Sequence, residues 1–297
     1  MVRGMDRREF LALCAAAPLL RAASGYRLGC ATLTWPTERF DEALEACAQI
    51  GYAGVHYRSP EFDRFKDRPA EFKEKLAKLK LAPVCLSAGS VDPRSAEREK
   101  FIERTLEQAR FQKTIGGEYV QLLDNLSRSK GIEEPHRKLA ELLNEIGKRT
   151  ADAGVRLGYH NHMNSLSETP DGCKRLFDAL DARYVGLILD TAHLARGGSD
   201  PVEVFKVYGG RLLFPHLKDL YAGPAKKIVD ADGRTRDQWF TALGLGNIDL
   251  PAVVAQMKKH GYKGWIVNEL DVYDRIQFSE KEGVARNFKY CREKLGL

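Results

Sequence analysis

Residues 38–58 read ERFDEALEACAQIGYAGVHYR. Phe40, Leu44, Cys47 and Ile50 recur at i, i+4, i+7 and i+10, which gathers them on one side of an α-helix. Gly51 stands where that helix must end, because glycine enters the left-handed stop conformation without a Cβ clash. AGVHYR (53–58) then follows as a short apolar run. A helix that stops on glycine and runs directly into a strand is one step of a β/α architecture.

The step repeats along the chain. Strand-like runs occur at RLGCATLT (27–34), AGVHYR (53–58), APVCLSA (82–88), EYVQLLD (118–124), VRLGYHN (155–161), YVGLILD (184–190), RLLFPHL (211–217) and GWIVNEL (264–270). Helical patterns fall at 37–50, 67–80, 94–115, 133–153, 170–182, 200–209, 249–260 and 278–295. AGV (153–155) and HGY (260–262) again place glycine between a helix and the strand after it. Eight β/α units at roughly 30-residue spacing predict a parallel sheet, and eight is the number that closes a (β/α)8 TIM barrel. The expected organisation is therefore one barrel domain over residues 25–297. An open doubly wound sheet would carry GxGxxG after a strand, and the sequence has none. Residues 221–248 break the rhythm and read as an extended βα loop after the seventh strand.

Composition excludes several functions. The 297 residues are 43% hydrophobic and 30% charged, which is ordinary for a soluble globular chain. The net charge of +6 includes +2 from the first 24 residues, where four arginines face Asp6 and Glu9; the rest has no Lys/Arg block, which argues against a nucleic-acid partner. Of the six cysteines, Cys14 lies near the N-terminus and the other five are scattered without CxxC, so neither a disulfide framework nor a Cys-rich metal site is expected. MDRREFLALCAAAPLLRAAS (5–24) resembles a twin-arginine export signal, with Arg7-Arg8, an apolar run Leu11 to Leu20 and small residues Ala22-Ala23-Ser24. The apolar run is too short to span a bilayer. The expectation is a periplasmic or otherwise exported protein, free of the membrane after signal cleavage.

The polar residues concentrate where the strands end. Side chains alternate along a strand, so parity says which ones share a face. His160 and His162 share the parity of Gly158 on strand five; Asp190 shares that of Gly186 and Ile188 on strand six. His216 and Lys218 close strand seven, and Glu269 closes strand eight on the parity of Trp265 and Val267. Strand two adds His56 and Arg58. The active sites of such barrels lie at this end. Each residue alone has an ordinary structural use: a lone histidine is hydrogen-bonded in the core, and an aspartate after a strand caps a helix. Four successive strands offering His160, Asp190, His216 and Glu269 at one level instead point to one divalent metal. N and O donors of this kind suit Mn, Co, Zn or Fe better than Ca. Asp124 and Asn125 end strand four as further candidates, and Trp35 and Tyr57 read as packing or sugar-stacking groups.

GYHNHMNSL (158–166), DTAHLARGGSDPVEV (190–204), HLKDL (216–220), LGLGNIDLPAVV (243–254) and GYKGWIVNELD (261–271) together resemble the xylose isomerase-like TIM barrel superfamily over about residues 26–295. That group holds sugar isomerases, epimerases and dehydratases; its inosose dehydratases are similar in the strand-five and DTAH stretches. The resemblance implies that His160, Asp190, His216 and Glu269 bind one divalent metal. It implies that His193 and His162 touch substrate or move a proton, and that Lys218 contacts substrate. His56 and Trp35 complete the expected substrate-binding set. The implied partner is a small-molecule sugar or cyclitol, and a homo-oligomer is compatible with the group. Ketose epimerases of the group carry Glu on strand five, where this chain has His160. Many relatives carry Glu on strand two, where this chain has His56, and an acidic residue where it has Leu245.

The expected chemistry is abstraction of a proton beside a carbonyl, by Glu269, His193 or His162, with metal stabilisation of the enediolate. Reprotonation gives epimerisation or isomerisation. Loss of a β-hydroxyl gives an inosose dehydratase-like or keto-glycoside lyase reaction. A non-catalytic metal- and sugar-binding barrel is the alternative outside enzymes. An endonuclease IV-type site would need three zinc ions, for which seven histidines and no basic stripe are a poor fit.

Overall fold

The eight expected strands form and close into a ring. The computed structural model describes residues 25–127, 134–229, 233–271 and 278–297; the export-signal reading of residues 1–24 lies outside them. The ring consists of β1 (Arg27–Ala31), β2 (Gly54–Arg58), β3 (Ala82–Ser90), β4 (Tyr119–Leu123), β5 (Arg156–His160), β6 (Val185–Asp190), β7 (Leu212–Leu217) and β12 (Trp265–Asn268). Every neighbour pair is parallel, and β1 pairs with both β2 and β12, so the sheet has no edge.

The helices that alternate with these strands are α1 (Phe40–Ile50), α3 (Pro69–Lys78), α4 (Arg98–Ile115), α5 (Pro135–Asp152), α6 (Pro170–Ala179), α8 (Pro201–Tyr208), α9 (Leu250–Lys259) and α10 (Glu280–Glu293). Their ends follow the local chemistry. Gly51 takes φ +108° after α1, which makes it the left-handed stop that the sequence suggests. Thr169, Asp200, Asp249 and Ser279 cap α6, α8, α9 and α10 through side-chain oxygens.

Two short helices escaped the periodicity: α2 (Ser59–Phe65) after β2, and α7 (Thr191–Arg196) after β6. Each has fewer than two turns, too short for an apolar repeat to register. The long segment after β7 is partly ordered into strands. β8 (Asp219–Leu220) pairs antiparallel with β11 (Phe240–Thr241), and β9 (Lys226–Val229) with β10 (Thr235–Gln238).

The bore of the barrel is packed solid below the strand ends. Val84, Cys85, Ile188, Leu213, Phe214, Trp265 and Val267 fill it. Two glycines make room for them: a Cβ on Gly158 would lie 2.4 Å from Ile188 Cδ1, and one on Gly186 would lie 2.4 Å from Leu213 Cδ2. Small residues on β5 and β6 thus admit large ones from β6 and β7. Burying each such aliphatic side chain stabilises the fold by about 1.5–3 kcal/mol. A second, larger apolar layer joins strands to helices and includes Leu44, Cys47, Tyr57, Phe72, Ile146 and Phe177. The five cysteines among the described residues are free and buried.

Candidate metal centre and active site

Strand register brings the polar ends to one level. Asp190 pairs with His216 across β6 and β7, and His216 pairs with Val267 across β7 and β12. A register shift between Leu187 and Ile188 sets the β6–β7 match. Glu269 lies one residue past β12 and continues its line, since its backbone N–H donates to Leu217 O at 3.1 Å. His160 ends β5. Exposure of His160, Asp190, His216 and Glu269 is 5% or less.

The two oxygens of Asp190 divide between two duties. Oδ1 accepts from the backbone N–H groups of Ala192 and His193, both at 2.8 Å, and so caps α7. Oδ2 is buried with no hydrogen-bond partner among the described residues. The helix-cap reading and the ligand reading of this aspartate are both available, one per oxygen. Asn161 fixes the carboxylate from behind: its Oδ1 accepts from Asp190 N at 2.8 Å and its Nδ2 donates to Asp190 O at 3.2 Å.

The orphaned Oδ2 faces other atoms that lack donors. His216 Nδ1 lies 4.0 Å from it and 3.1 Å from Glu269 Oε2, yet has no hydrogen bond of acceptable geometry to either. Ligand atoms of His160, Asp190, His193 and Glu269 all lie within 4.8 Å of one another. Two carboxylates and several imidazoles around one point, with unpaired lone pairs among them, are a donor set for a divalent cation. His193 is thus a further candidate ligand, beside the role in proton transfer that its sequence position suggested. A second cluster, His160, His162 and His193, shares His160 and His193 with the first. His160 Nδ1 is 3.3 Å from Ile188 O, so only Nε2 remains for a metal, and the two clusters compete for that one atom.

Burial sets the protonation states. It pushes His160, His193 and His216 well below the ordinary histidine range and His56 to about 4, which favours the neutral rings. Burial also raises Asp190 to about 8; Lys218 opposes the rise, and the Glu269 carboxylate adds to it. Glu269 goes the other way. Burial would raise it, but the Lys218 ammonium outweighs burial and holds it at about 2.

Lys218 is 1% exposed and makes three polar contacts. Its Nζ donates to Glu269 Oε1 and Asp271 Oδ1, both at 2.9 Å, and lies 3.5 Å from His193 Nε2. Phe240, carried by the long loop after β7, closes over it: Nζ is 4.3 Å from the ring centroid, and the same ring meets His193 edge-on at 4.8 Å. The position of Lys218 is that of a buried counter-charge to Glu269 and Asp271.

His162 is held as a base would be. Its Nδ1 donates to Met163 O at 2.8 Å, which leaves Nε2 with the lone pair. Its ring centroid is 4.0 Å from that of His193. The loop behind it is tied down by Asp124, which accepts from Tyr159 Oη at 2.6 Å and from the N–H groups of Leu126 and Leu166. Asp124 is fully buried and serves this anchorage rather than lining the cavity, while Asn125 is exposed and bonds Ser90.

A cavity of about 110 Å³ opens beside the cluster, lined by Leu33, His56, Arg58, Ser87, Gln121, His160, His162 and Glu269 among others. Ser87 and Gln121 were not anticipated. Gln121 could have been found, because it is the one polar residue on the inward parity of an otherwise apolar strand. Trp35, expected to bind substrate, is 1% exposed, belongs to the packed layer and is not among the residues that line this cavity. Tyr57 is likewise in that layer.

Known proteins match this chain over most of its length. The rhizopine catabolism protein MocC of Rhizobium meliloti is 29% identical over 253 residues, covering 78% of this chain and 75% of that one. An inosose dehydratase of Clostridium perfringens is 26% identical, covering 92% of this chain and 99% of its own. For an inosose dehydratase of Clostridium beijerinckii, 31% identical, the match spans 56% of each chain, about half the relative's length. Among solved structures, the IOLI protein with a bound zinc atom has a TM-score of 0.74 at 21% identity, covering 91% of this chain and 98% of that one. A sugar phosphate isomerase/epimerase from Parabacteroides distasonis has a TM-score of 0.71 at 19% identity, covering 94% and 98%. At these identities the structural likeness speaks for the fold. Residues 44–294 match the family described as xylose isomerase-like TIM barrel, and the chain belongs to that family.

Proposed function

We propose that this protein is a divalent-metal-dependent enzyme that removes the proton beside a carbonyl of a keto sugar or cyclitol, with loss of water as the favoured outcome. The observation that carries the reading is a pair of unpaired buried atoms: Asp190 Oδ2 and His216 Nδ1 have no hydrogen-bond partner among the described residues, and His216 Nδ1 lies 4.0 Å from Asp190 Oδ2 and 3.1 Å from Glu269 Oε2. His160, Asp190, His216 and Glu269 would hold the ion, with His193 as a further donor. When bound, such an ion polarises a carbonyl and stabilises the negative charge that proton removal creates.

His162 is the base in this reading. Its Nε2 carries the lone pair and the residue lines the cavity. Glu269 is a poor competitor, since Lys218 occupies its Oε1. His162 takes the proton from the carbon, the electron pair of that C–H bond moves toward the carbonyl, and its return expels the β-hydroxyl. The departing hydroxyl recovers a proton from His162 and leaves as water, so atoms and charge balance. A two-carboxylate epimerisation is disfavoured because β5 presents His160 where a second carboxylate would stand. Isomerisation shares the first step. The names of the relatives, inosose dehydratases among them, support a cyclitol or sugar substrate. Residues 5–24 are proposed as the export address, which would place the mature enzyme in the periplasm.

The test has two stages. Metal content of the purified protein is expected near one divalent ion per chain. NMR in deuterium oxide with a panel of inososes and keto sugars is then expected to reveal deuterium at the carbon beside the carbonyl, or an unsaturated product. Metal present but no exchange with any member of the panel would leave a binding barrel instead of an enzyme. Absence of metal would remove the reading at its base.

A further inference from the structure

His56 is the residue whose position the proposed chemistry leaves unused. It is 4% exposed, its ring meets Phe214 edge-on at 6.0 Å, and its Nδ1 lies 3.0 Å from Nε2 of His216. Two ring nitrogens at this distance share one proton, so one ring donates to the other. The direction matters. If His56 donated, His216 would carry its own proton on Nδ1, the atom that faces Asp190 and Glu269, and could not ligate a metal there. If His216 donates from Nε2, its Nδ1 keeps a lone pair 3.1 Å from Glu269 Oε2 and 4.0 Å from Asp190 Oδ2.

We infer that His56 is a positioning residue: its Nδ1 accepts the proton of His216 Nε2 and so reserves His216 Nδ1 for a divalent cation. This inference rests on the metal-binding reading above. The His56 proton then sits on Nε2, an atom with no hydrogen-bond partner among the described residues, so nothing there pins the opposite tautomer. The donor set also favours this direction. His216 Nδ1 lacks hydrogen-bond geometry toward either carboxylate, which is the arrangement of a ligand and not of an N–H donor. Partners that orient a ligating histidine through its other nitrogen commonly change metal affinity by about 10- to 100-fold when removed. Here the partner is another imidazole, so the histidine ligand comes as a pair from β2 and β7, two strands that β1 and β12 separate in the ring.

The experiment compares full-length wild-type protein with His56→Leu and His56→Gln. Zn²⁺ and Mn²⁺ dissociation constants are measured by chelator competition, and histidine tautomers of the metal-free protein by two-bond ¹H–¹⁵N NMR. The expected result is a loss of affinity of about 10- to 100-fold in His56→Leu, with recovery in His56→Gln, whose side-chain oxygen can still accept. In the wild type, His216 is expected as the Nε2–H tautomer, shifting toward Nδ1–H in the Leu variant. Equal affinities in wild type and His56→Leu, or an Nδ1–H tautomer in the wild type, would overturn the inference while leaving the metal site standing. A wild type that binds neither metal would overturn the metal site itself. A Leu variant that fails to fold leaves the decision with the wild-type tautomer.

Discussion

Lys218 Nζ is 2.9 Å from Glu269 Oε1 and 2.9 Å from Asp271 Oδ1, inside a site where the lysine is 1% exposed. This ammonium divides the labour of Glu269. One oxygen is held as a salt-bridge acceptor, and the other is left toward His216 Nδ1 at 3.1 Å. A carboxylate held at about 2 by this contact is a weak base and a good ligand. Replacing Lys218 with Met keeps the length and removes the charge. Breaking a buried pair of this kind costs about 3–5 kcal/mol. Chemical denaturation is expected to register that loss, and an unchanged midpoint would mean that solvent screens the pair.

The assignment of His162 as base separates it from the metal. His162→Gln is expected to lower kcat/KM by about 10²- to 10⁴-fold. Metal stoichiometry by elemental analysis should stay at the wild-type value. Loss of metal with activity would make His162 a ligand instead.

Asp190 gives a pH signature in the metal-free protein. Its carboxyl is raised from 3.8 to about 8 by burial. Below the unfolded value both states hold the proton; as pH climbs toward the folded value only the unfolded chain releases it, and stability falls. Chelator-treated wild type should therefore lose stability between about pH 4 and pH 8 from this group, a slope that Asp190→Asn removes. Asn can still cap α7, so this variant should fold, fail to bind metal, and be at least as stable as metal-free wild type at pH 8. Unfolding midpoints across that range check the claim.

Asn161 tests how rigidly Asp190 is held. Its side chain is 1% exposed and makes both hydrogen bonds to the Asp190 backbone. Asn161→Ala leaves the buried Asp190 N–H without its acceptor, a cost of roughly 1–3 kcal/mol. Metal affinity should weaken together with the unfolding midpoint. A change in only one of the two would separate positioning from stability.

The export proposal has its own test. Replacing Arg7 and Arg8 together with Lys should retain the protein in the cytoplasm, as read by cell fractionation. Equal periplasmic amounts would reject a twin-arginine route.

Much of this architecture was legible because barrels impose a periodic code. Glycine stops such as Gly51, and runs such as YVGLILD, mark the alternation, and parity alone put His160, Asp190, His216 and Glu269 on the inner face. What escaped was non-local. Asn161 clamps the neighbouring strand, and nothing in residues 158–166 says which backbone it will meet. Phe240 reaches Lys218 and His193 from a loop whose path no repeat describes. The pairing of His56 with His216 spans 160 positions and depends on barrel closure. Trp35 read as packing or stacking because a tryptophan near strand one can serve either, and its burial in the packed layer is not visible in the sequence.

The Ile188 and Leu213 plug that Gly158 and Gly186 admit closes the lower end of the bore. Reactant and product must therefore share a single doorway at the strand tips. Each departing molecule vacates the seat the next one needs, so product should inhibit by competing directly with substrate, and traffic through that mouth becomes a candidate for the slow step of the cycle.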